Sequence, residues 1–420
     1  MKLSSFSDAN KVLSSFVPPA RKFRAAVLSL NTMRQLLAAL GNPQEQYKVI
    51  HVAGTSGKTS TAYFCASLLL QTGTRVGLTV SPHIDQVNER VQINLEPMQE
   101  APFCDELGIF LDEVEATGIK PTYFEVLIAF AYWEFARRGV DYAVIEVGLG
   151  GRLDATNVIE RTDKVCVITD IGFDHTQILG NTLPKIATEK AYITKPGNEV
   201  FMLSQPRDVT VAIRSVVQSQ GGTLHVARAK PPASKLPLFQ QRNWYLASLV
   251  VKYTLQRDGV SELTDKQLLS SQGVHIPARM EQVLLGNKTV IMDGSHNAQK
   301  MHALVTSMKQ KYPGESATIL LAMLSATKQK HLETLKELRP IAKNVIVTDF
   351  ATIQDMRKIA ADPERIAELC RQVGISQVEV IKDPVVAAEK LLNDLSQLLM
   401  VTGSFYLLNH VRPLILRKHD

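Results

Sequence analysis

The segment HVAGTSGKTST, His51 to Thr61, follows directly on the apolar run KVIHVA, Lys48 to Ala53, and carries two glycines, a lysine and a string of hydroxyl residues. A short apolar run closed by a glycine turn reads as a buried strand, and Lys58 to about Gln71 reads as the helix after it. In that order, strand, glycine loop, helix, the backbone N–H groups and the helix dipole can hold an anion. The chemistry is that of a phosphate loop, formed by Gly54, Thr55, Ser56, Gly57, Lys58, Thr59 and Ser60. Lys58 would neutralise the β- and γ-phosphates of a nucleotide, and the Thr59 or Ser60 hydroxyl would reach its Mg²⁺. The spacing departs from GxxxxGK[ST], because Val52 stands where the first glycine is usual. The plain alternative is a tight strand-to-helix turn with a solvent-facing lysine; context and residue types together favour phosphate.

Outward from this loop, strand-like runs recur at Arg75 to Val80, Asp141 to Val147, Lys164 to Thr169 and Glu199 to Leu203, separated by helical segments such as Tyr123 to Arg138 and Leu183 to Ile193. Such alternation implies a mostly parallel sheet. A second series begins at Lys288 to Met292 and continues through Thr318 to Met323, Asn344 to Val347 and Val378 to Ile381. The reading is therefore α/β: a P-loop nucleotide-binding domain over 1–285 and a smaller Rossmann-like α/β domain over 286–420, with the join between Gly273 and Lys288. Lys230 to Pro237 has the Pro-rich composition of a surface connection.

The chain has 420 residues, 45% hydrophobic, which is enough for more than one core. No window offers the run of about 18 to 20 apolar residues that a membrane helix needs, and the start lacks a basic segment followed by an apolar one. A cytoplasmic location without membrane attachment is the expectation. Cys65, Cys104, Cys166 and Cys370 are widely spaced and read as structural thiols. The net charge of +6 is dispersed, with short clusters at Arg21–Arg24 and at Arg417, Lys418 and His419, and 6% aromatic content argues against nucleic-acid binding.

Three further strings give the loop its context. VSPHIDQVNERVQIN (Val80 to Asn94) follows the second strand; YAVIEVGLGGRLDATNVI (Tyr142 to Ile159) ends a strand at Glu146 and turns on Gly148, Gly150 and Gly151; TDIGFDHTQILGNTLPKIATEKAYITKPG (Thr169 to Gly197) carries Asp174 and His175 after another strand. A carboxylate at the carboxyl end of a parallel strand is well placed for a metal. With the shortened GTxGK[ST]-type loop, these strings resemble the folate branch of the Mur ligase superfamily, folylpolyglutamate synthase and dihydrofolate synthase. The resemblance runs from about Leu40 to VTGSFYLLNHVR (Val401 to Arg412) and is weaker where Thr327-Lys328-Gln329-Lys330 replaces a DKD-like segment.

The resemblance implies an ATP-dependent ligase that adds L-glutamate to a folate-type carboxylate, from tetrahydrofolate or dihydropteroate, through an acyl phosphate. It implies ATP and Mg²⁺, at two sites, as cofactors. Ser81, Glu146 and His175 would hold metal, and Lys190 would be the lysine that many such ligases carbamylate; a helix-surface salt bridge of Lys190 with Glu189 or Asp174 is the alternative. Gln240, Asn243, Arg279 and Asp293 would lie on the nucleotide. His83, Arg90, Phe124, Arg152 and Ser404 would lie on the substrates, with His296 and Ser404 orienting the amino acid; Phe124 reads equally as core. Lys58, Glu146, His175, Lys190 and His296 are the expected catalytic set. Closure about Gly273 to Lys288 would exclude water. The partners are small molecules only, and the chain is expected to act as a monomer. Two other readings stay open: a Mur-type ligase for another carboxylate acceptor, and a non-catalytic nucleotide-binding module.

Overall fold

The run KVIHVA forms strand β1 (Lys48–Ala53), buried along nearly its whole length, as a mostly apolar strand is when both faces of its sheet are covered. The computed structural model of the chain describes residues 1–18, 29–228, 234–354 and 356–418. The Arg21–Arg24 cluster, residues 230–233 of the Pro-rich connection and His419 lie outside the described residues. The chain divides into two compact units, Met1–Ser234 with Gln240–Val274 and Lys235–Phe239 with His275–Asp420.

In the first unit the chain adds β2 (Val76–Thr79), β3 (Gln92–Ile93), β4 (Glu96–Pro97), β5 (Tyr142–Glu146), β6 (Val165–Ile168), β7 (Glu199–Leu203) and β8 (Thr223–Ala227). These make an eight-stranded sheet in the order β4-β3-β2-β5-β1-β6-β7-β8. β2, β5, β1, β6, β7 and β8 are parallel, and the β3–β4 hairpin adds antiparallel strands at one edge. Val49, Ala143 and Ile145 pack with the aromatic-rich helices Glu100–Ala116 and Tyr123–Arg137. The latter starts at a capping box: Thr122 Oγ1 accepts from Glu125 N, and Glu125 accepts from Thr122 N at 2.7 Å. Ala53, Cys166, Ile168, Val200 and Met202 pack instead with the helices Leu183–Ala191 and Arg207–Ser219. All four cysteines are buried and free.

The second unit contains β9 (Glu281–Leu285), β10 (Lys288–Met292), β11 (Ala317–Leu321), β12 (Ala342–Val347), a separate hairpin of β13 (Ala351–Gln354) and β14 (Met356–Ile359), then β15 (Val378–Val380) and β16 (Leu398–Thr402). Six of these form a sheet ordered β15-β12-β11-β16-β10-β9, parallel except for β9. Because β9 pairs with β10, the segment 275–285, placed in the first domain by sequence reading, lies in the second unit. The strand was hidden because its inward face alternates a charged residue with an apolar one: Glu281 and Val283 are buried, while Gln282 and Leu284 point outward. Among the described residues no helix is long and apolar enough to cross a membrane.

Candidate active site

In both sheets the loops that carry Gly54 to Gly57, Ser81, His175, Asp293 and His296 follow the carboxyl ends of parallel strands, where open α/β sheets place their ligands. After β1 the phosphate loop is fastened from outside. Thr55 N and Ser56 N donate to the single carbonyl of Asp170 at 2.9 and 3.1 Å, and Thr55 Oγ1 donates to Gly172 O at 3.1 Å. Gly57 precedes the helix Lys58–Leu70 at φ 89°, and no side chain caps that helix. A Cβ there would stand 2.4 Å from Asn243 Oδ1, so glycine is required both by the left-handed backbone and by the approach of the buried Asn243. Ser60 Oγ is buried without a protein hydrogen-bond partner, the kind of orphaned atom that a ligand oxygen or metal satisfies.

Glu146, buried at the end of β5, gathers two other loops. Its Oε1 accepts from Thr59 Oγ1 at 2.9 Å, and its Oε2 accepts from Ser81 N at 3.2 Å. The expected Ser81 and Glu146 are thus together, joined by Thr59. His175 stands on the loop after β6 with a left-handed backbone, its Nε2 3.9 Å from Asp174 Oδ1. Among the described residues no three His, Cys, Asp or Glu side chains gather around one point. A divalent ion here would therefore use Glu146, hydroxyls, ligand oxygens and water, which suits Mg²⁺, a hard ion that keeps much of its hydration. The residues present fit such an ion.

The SPH and NER strings fold onto each other. The Glu89 carboxylate accepts from Ile84 N, Asp85 N and Gln86 N at 2.7, 2.6 and 2.8 Å. Arg90 Nε donates to His83 Nδ1 at 3.0 Å, and the Arg90 guanidinium lies over the Tyr123 ring. Burial first, and the Arg90 charge second, push the His83 imidazole well below its usual range, which keeps it a neutral acceptor. Both side chains are buried, so they shape this loop from beneath. Phe124 faces the glycine turn: a Cβ on Gly148 would stand 2.4 Å from its ring.

That turn is held by Asp154, which accepts from Leu149 N, Thr156 N and Thr156 Oγ1 at 2.6, 3.0 and 2.5 Å. Burial raises the Asp154 carboxyl above its usual range, and these hydrogen bonds oppose the rise. Arg152 is half exposed; its guanidinium lies 4.4 Å from the Tyr192 ring centroid and 3.9 Å from Glu189. Lys190 is buried at the end of the helix Leu183–Ala191, and the neighbouring Glu189 faces Arg152.

In the second unit the expected residues collect around Phe405. The Arg279 guanidinium lies 4.2 Å from its ring centroid, the His296 ring meets it edge-on at 5.8 Å, and a Cβ on Gly294 would stand 1.9 Å from it. Asp293 uses both oxygens on the turn itself: Oδ2 accepts from Met280 N, and Oδ1 accepts from Ser295 N and Ser295 Oγ. Ser404 caps the helix Phe405–Arg417, its Oγ accepting from Tyr406 N at 3.1 Å. Below lies a buried cluster in which Glu281 accepts from Arg412 Nε and Nη2 at 2.8 and 2.7 Å and from Ala278 N at 3.0 Å. Gln240 is buried near the start of the helix Leu238–Arg257, which also carries Asn243.

Sequence reading missed the pair Arg242–Asp170. The guanidinium Nε and Nη2 donate to the Asp170 carboxylate at 3.0 and 2.8 Å, tying the helix of Asn243 to the loop that fastens the phosphate loop. Partners 72 positions apart leave no local signature in one sequence. Phe405 was visible only as the residue after the Thr402-Gly403-Ser404 turn.

Comparison with known proteins gives the family. Residues 52–220 match the Mur ligase middle domain, and residues 278–405 match the Mur ligase glutamate ligase domain. The dihydrofolate synthetase of Saccharomyces cerevisiae is 31% identical over 91% of this chain and 96% of its own length. The dihydrofolate synthase/folylpolyglutamate synthase of Bacillus subtilis is 31% identical over 91% of this chain and 94% of its own. A probable bifunctional folylpolyglutamate synthase/dihydropteroate synthase of Halobacterium salinarum is 35% identical over 62% of this chain, which spans 35% of that longer protein. Among solved structures, the bifunctional folylpolyglutamate synthase/dihydrofolate synthase of Yersinia pestis, complexed with AMPPNP and a Mn ion, superposes with a TM-score of 0.81 at 25% identity over 98% of both chains. With relatives at this identity over nearly their whole length, the chain belongs to the folylpolyglutamate synthase/dihydrofolate synthase family of Mur-type ligases.

Proposed function

We propose that this protein is an ATP-dependent ligase that joins L-glutamate to a folate-type carboxylate, that of dihydropteroate, of a reduced folate, or of both. The observation that carries the reading is the junction of Thr59, Glu146 and Ser81 at the mouth of the phosphate loop, where one carboxylate meets the loop's own hydroxyl. Gly54 to Ser60 would cradle the nucleotide phosphates, with Lys58 neutralising charge on the transferring group. Mg²⁺, when bound beside Glu146, supplies Lewis-acid stabilisation of that charge.

In the first step the acceptor carboxylate oxygen attacks the γ-phosphorus, the bond to the β-phosphate oxygen breaks, and ADP leaves an acyl phosphate behind. In the second, the glutamate amine attacks the acyl carbon, inorganic phosphate departs, and the amine proton is lost. Neither step needs a nucleophile from the protein, so the chain's part is positioning and electrostatics. His175 beside Asp174, exposed Arg152, and Phe124 on the glycine turn are the proposed metal and acceptor contacts. Asn243, Arg279 and Asp293 belong to the proposed nucleotide contacts; Ser404 and His296 to those for the amino acid. Buried Lys190 is the proposed carbamylation site: its ammonium first gives up a proton, and the neutral Nζ then adds to CO₂ with loss of a second proton, leaving a carbamate anion.

Incubation with Mg·ATP and glutamate plus either dihydropteroate or tetrahydrofolate, following ADP and product mass, tests the reading and separates the acceptors. A nucleotide-binding module would bind ATP without amino-acid-dependent ADP release. Lys58→Ala should lower turnover by about 10²-fold or more; near-normal ligation by that variant would refute the phosphate-loop assignment.

A further inference from the structure

His51 stands inside β1, fully buried, on the strand that runs into the phosphate loop, and the proposed mechanism does not use it. Its Nε2 lies 2.9 Å from Thr156 Oγ1, and that hydroxyl lies 2.5 Å from Asp154 Oδ1. A carboxylate that already takes Leu149 N and Thr156 N only accepts, so the one hydroxyl hydrogen of Thr156 goes to Asp154. The hydroxyl oxygen is then left to accept from His51, which sets the ring hydrogen on Nε2. Burial first, and the charges of Lys164 and Lys195 after it, push the His51 imidazole well below its usual range. The ring is therefore neutral, and its only N–H is the one given to Thr156.

The plain reading is a core histidine with its polar atoms satisfied, and the other ring nitrogen argues against it. His51 Nδ1 is buried without a protein hydrogen-bond partner, a loss that a leucine on the same strand would avoid. What the ring supplies is the far end of a chain, His51 to Thr156 to Asp154, whose last link is Leu149 N in the glycine turn. Thr156 is gripped a second time: its carbonyl accepts from Tyr132 Oη at 3.2 Å, and Tyr132 belongs to the helix Tyr123–Arg137 that carries Phe124. Next to it, Asn157 Nδ2 donates to Arg152 O at 3.0 Å. The turn that carries Arg152 is thus fixed between the strand of the phosphate loop and the helix of Phe124.

We propose that His51 is a positioning residue for the folate-type acceptor: through Thr156 and Asp154 it holds the glycine turn, and with it Arg152, in place against the strand that leads into the phosphate loop. This rests on the ligase reading for what binds at Arg152 and Phe124. His51 touches no reacting atom, and it makes and breaks no bond.

The test uses the full-length protein with His51→Leu, His51→Gln and Thr156→Val. Leucine fills the strand face without a donor, glutamine can return an N–H to the place of Nε2–H, and Thr156→Val cuts the same chain without touching β1. In hydrogen-exchange mass spectrometry, peptides over residues 147–157 should exchange roughly tenfold faster in His51→Leu and in Thr156→Val, with the helix Lys58–Leu70 little changed and His51→Gln close to the wild type. Unchanged exchange over 147–157 overturns the proposal, and so does a rise spread evenly over the first unit, which would be a general loss of stability. In steady-state ligation His51→Leu should raise the KM for the acceptor roughly tenfold while the KM values for ATP and glutamate move much less, and His51→Gln should recover most of the loss. Adding Thr156→Val to His51→Leu should cost little more, because both cut one chain. Equal rises in all three KM values, or full additivity of the two variants, overturn the proposal. A wild type that ligates neither acceptor refutes the ligase reading alone, and the exchange of residues 147–157 then decides whether His51 holds the turn.

Discussion

Replacing Arg412 with methionine removes the cation from a carboxylate that has almost no water to turn to. Glu281 and Arg412 side chains are 2% and 8% exposed, and the guanidinium donates twice to the carboxylate at 2.8 and 2.7 Å. Burial by itself would raise the Glu281 carboxyl, but hydrogen bonds from His275, Arg412 and Ala278 N, with the Arg412 charge, outweigh it and hold the group at about 2. Breaking such a pair from one side leaves a buried charge uncompensated, a loss of about 3–5 kcal/mol. The depressed carboxyl gives a similar figure: a fall from 4.5 to about 2 corresponds to about 3 kcal/mol. Since the folded value lies below the unfolded one, this stability is present in full above about pH 4.5 and is lost as pH falls through that value toward about 2.

Arg412→Met should therefore be least stable relative to the wild type near neutrality, and the gap should close in acid, where Glu281 takes up its proton. Urea titrations read by hydrogen-exchange mass spectrometry on peptides covering Glu281–Leu285 and Phe405–Arg417 report this unit by itself. A second mutation, Glu281→Gln, should recover part of the loss by removing the stranded charge. A loss under about 1 kcal/mol at neutral pH, or one that does not change between pH 7 and pH 3, would refute the reasoning.

Gly57→Ala should weaken ATP binding by roughly tenfold, because an L-residue resists the left-handed backbone and its Cβ meets Asn243; calorimetric titration with unchanged affinity would contradict this. Arg242→Ala should raise the KM for ATP a few-fold while costing only about 1 kcal/mol or less, since both partners are about a third exposed. The exchanged pair Asp170→Arg with Arg242→Asp should recover part of that KM, and no recovery would argue against positioning by the ion pair. Glu89→Ala strands three N–H groups and should cost about 2–3 kcal/mol in thermal or urea unfolding, with the KM for the folate-type substrate raised more than that for ATP. Equal effects on both KM values would show that the loop does not serve the acceptor.

The parallel strands were readable because they are buried on both faces: KVIHVA, YAVIE and VCVI are mostly apolar runs that need no partner to be recognised. The phosphate loop was equally plain, since its residues are contiguous. The elements missed share another property. β8 is a short edge strand, and β9 alternates Glu281 with Val283 on its inner face because Arg412, far along the chain, neutralises the acid. The motif strings SPH and NER were visible as words, but their grammar was not: that Glu89 closes the loop on Ile84, Asp85 and Gln86 and that Arg90 grips His83 are facts of folding. The bonds by which Asp293 holds the turn that carries Arg279 and Ser295 were likewise invisible before folding.

A single peptide oxygen, that of Asp170, receives both Thr55 N and Ser56 N. The shape of the phosphate grip is thus dictated by a residue four positions before Asp174, on the strand end that leads to His175. Whatever straightens or settles that strand end also tunes the grip, and thermodynamic reciprocity requires the converse. An ion captured at Asp174 or His175 and a nucleotide captured at Lys58 would then each be felt by the other through one carbonyl, so the order in which they arrive alters the path but not the final affinity.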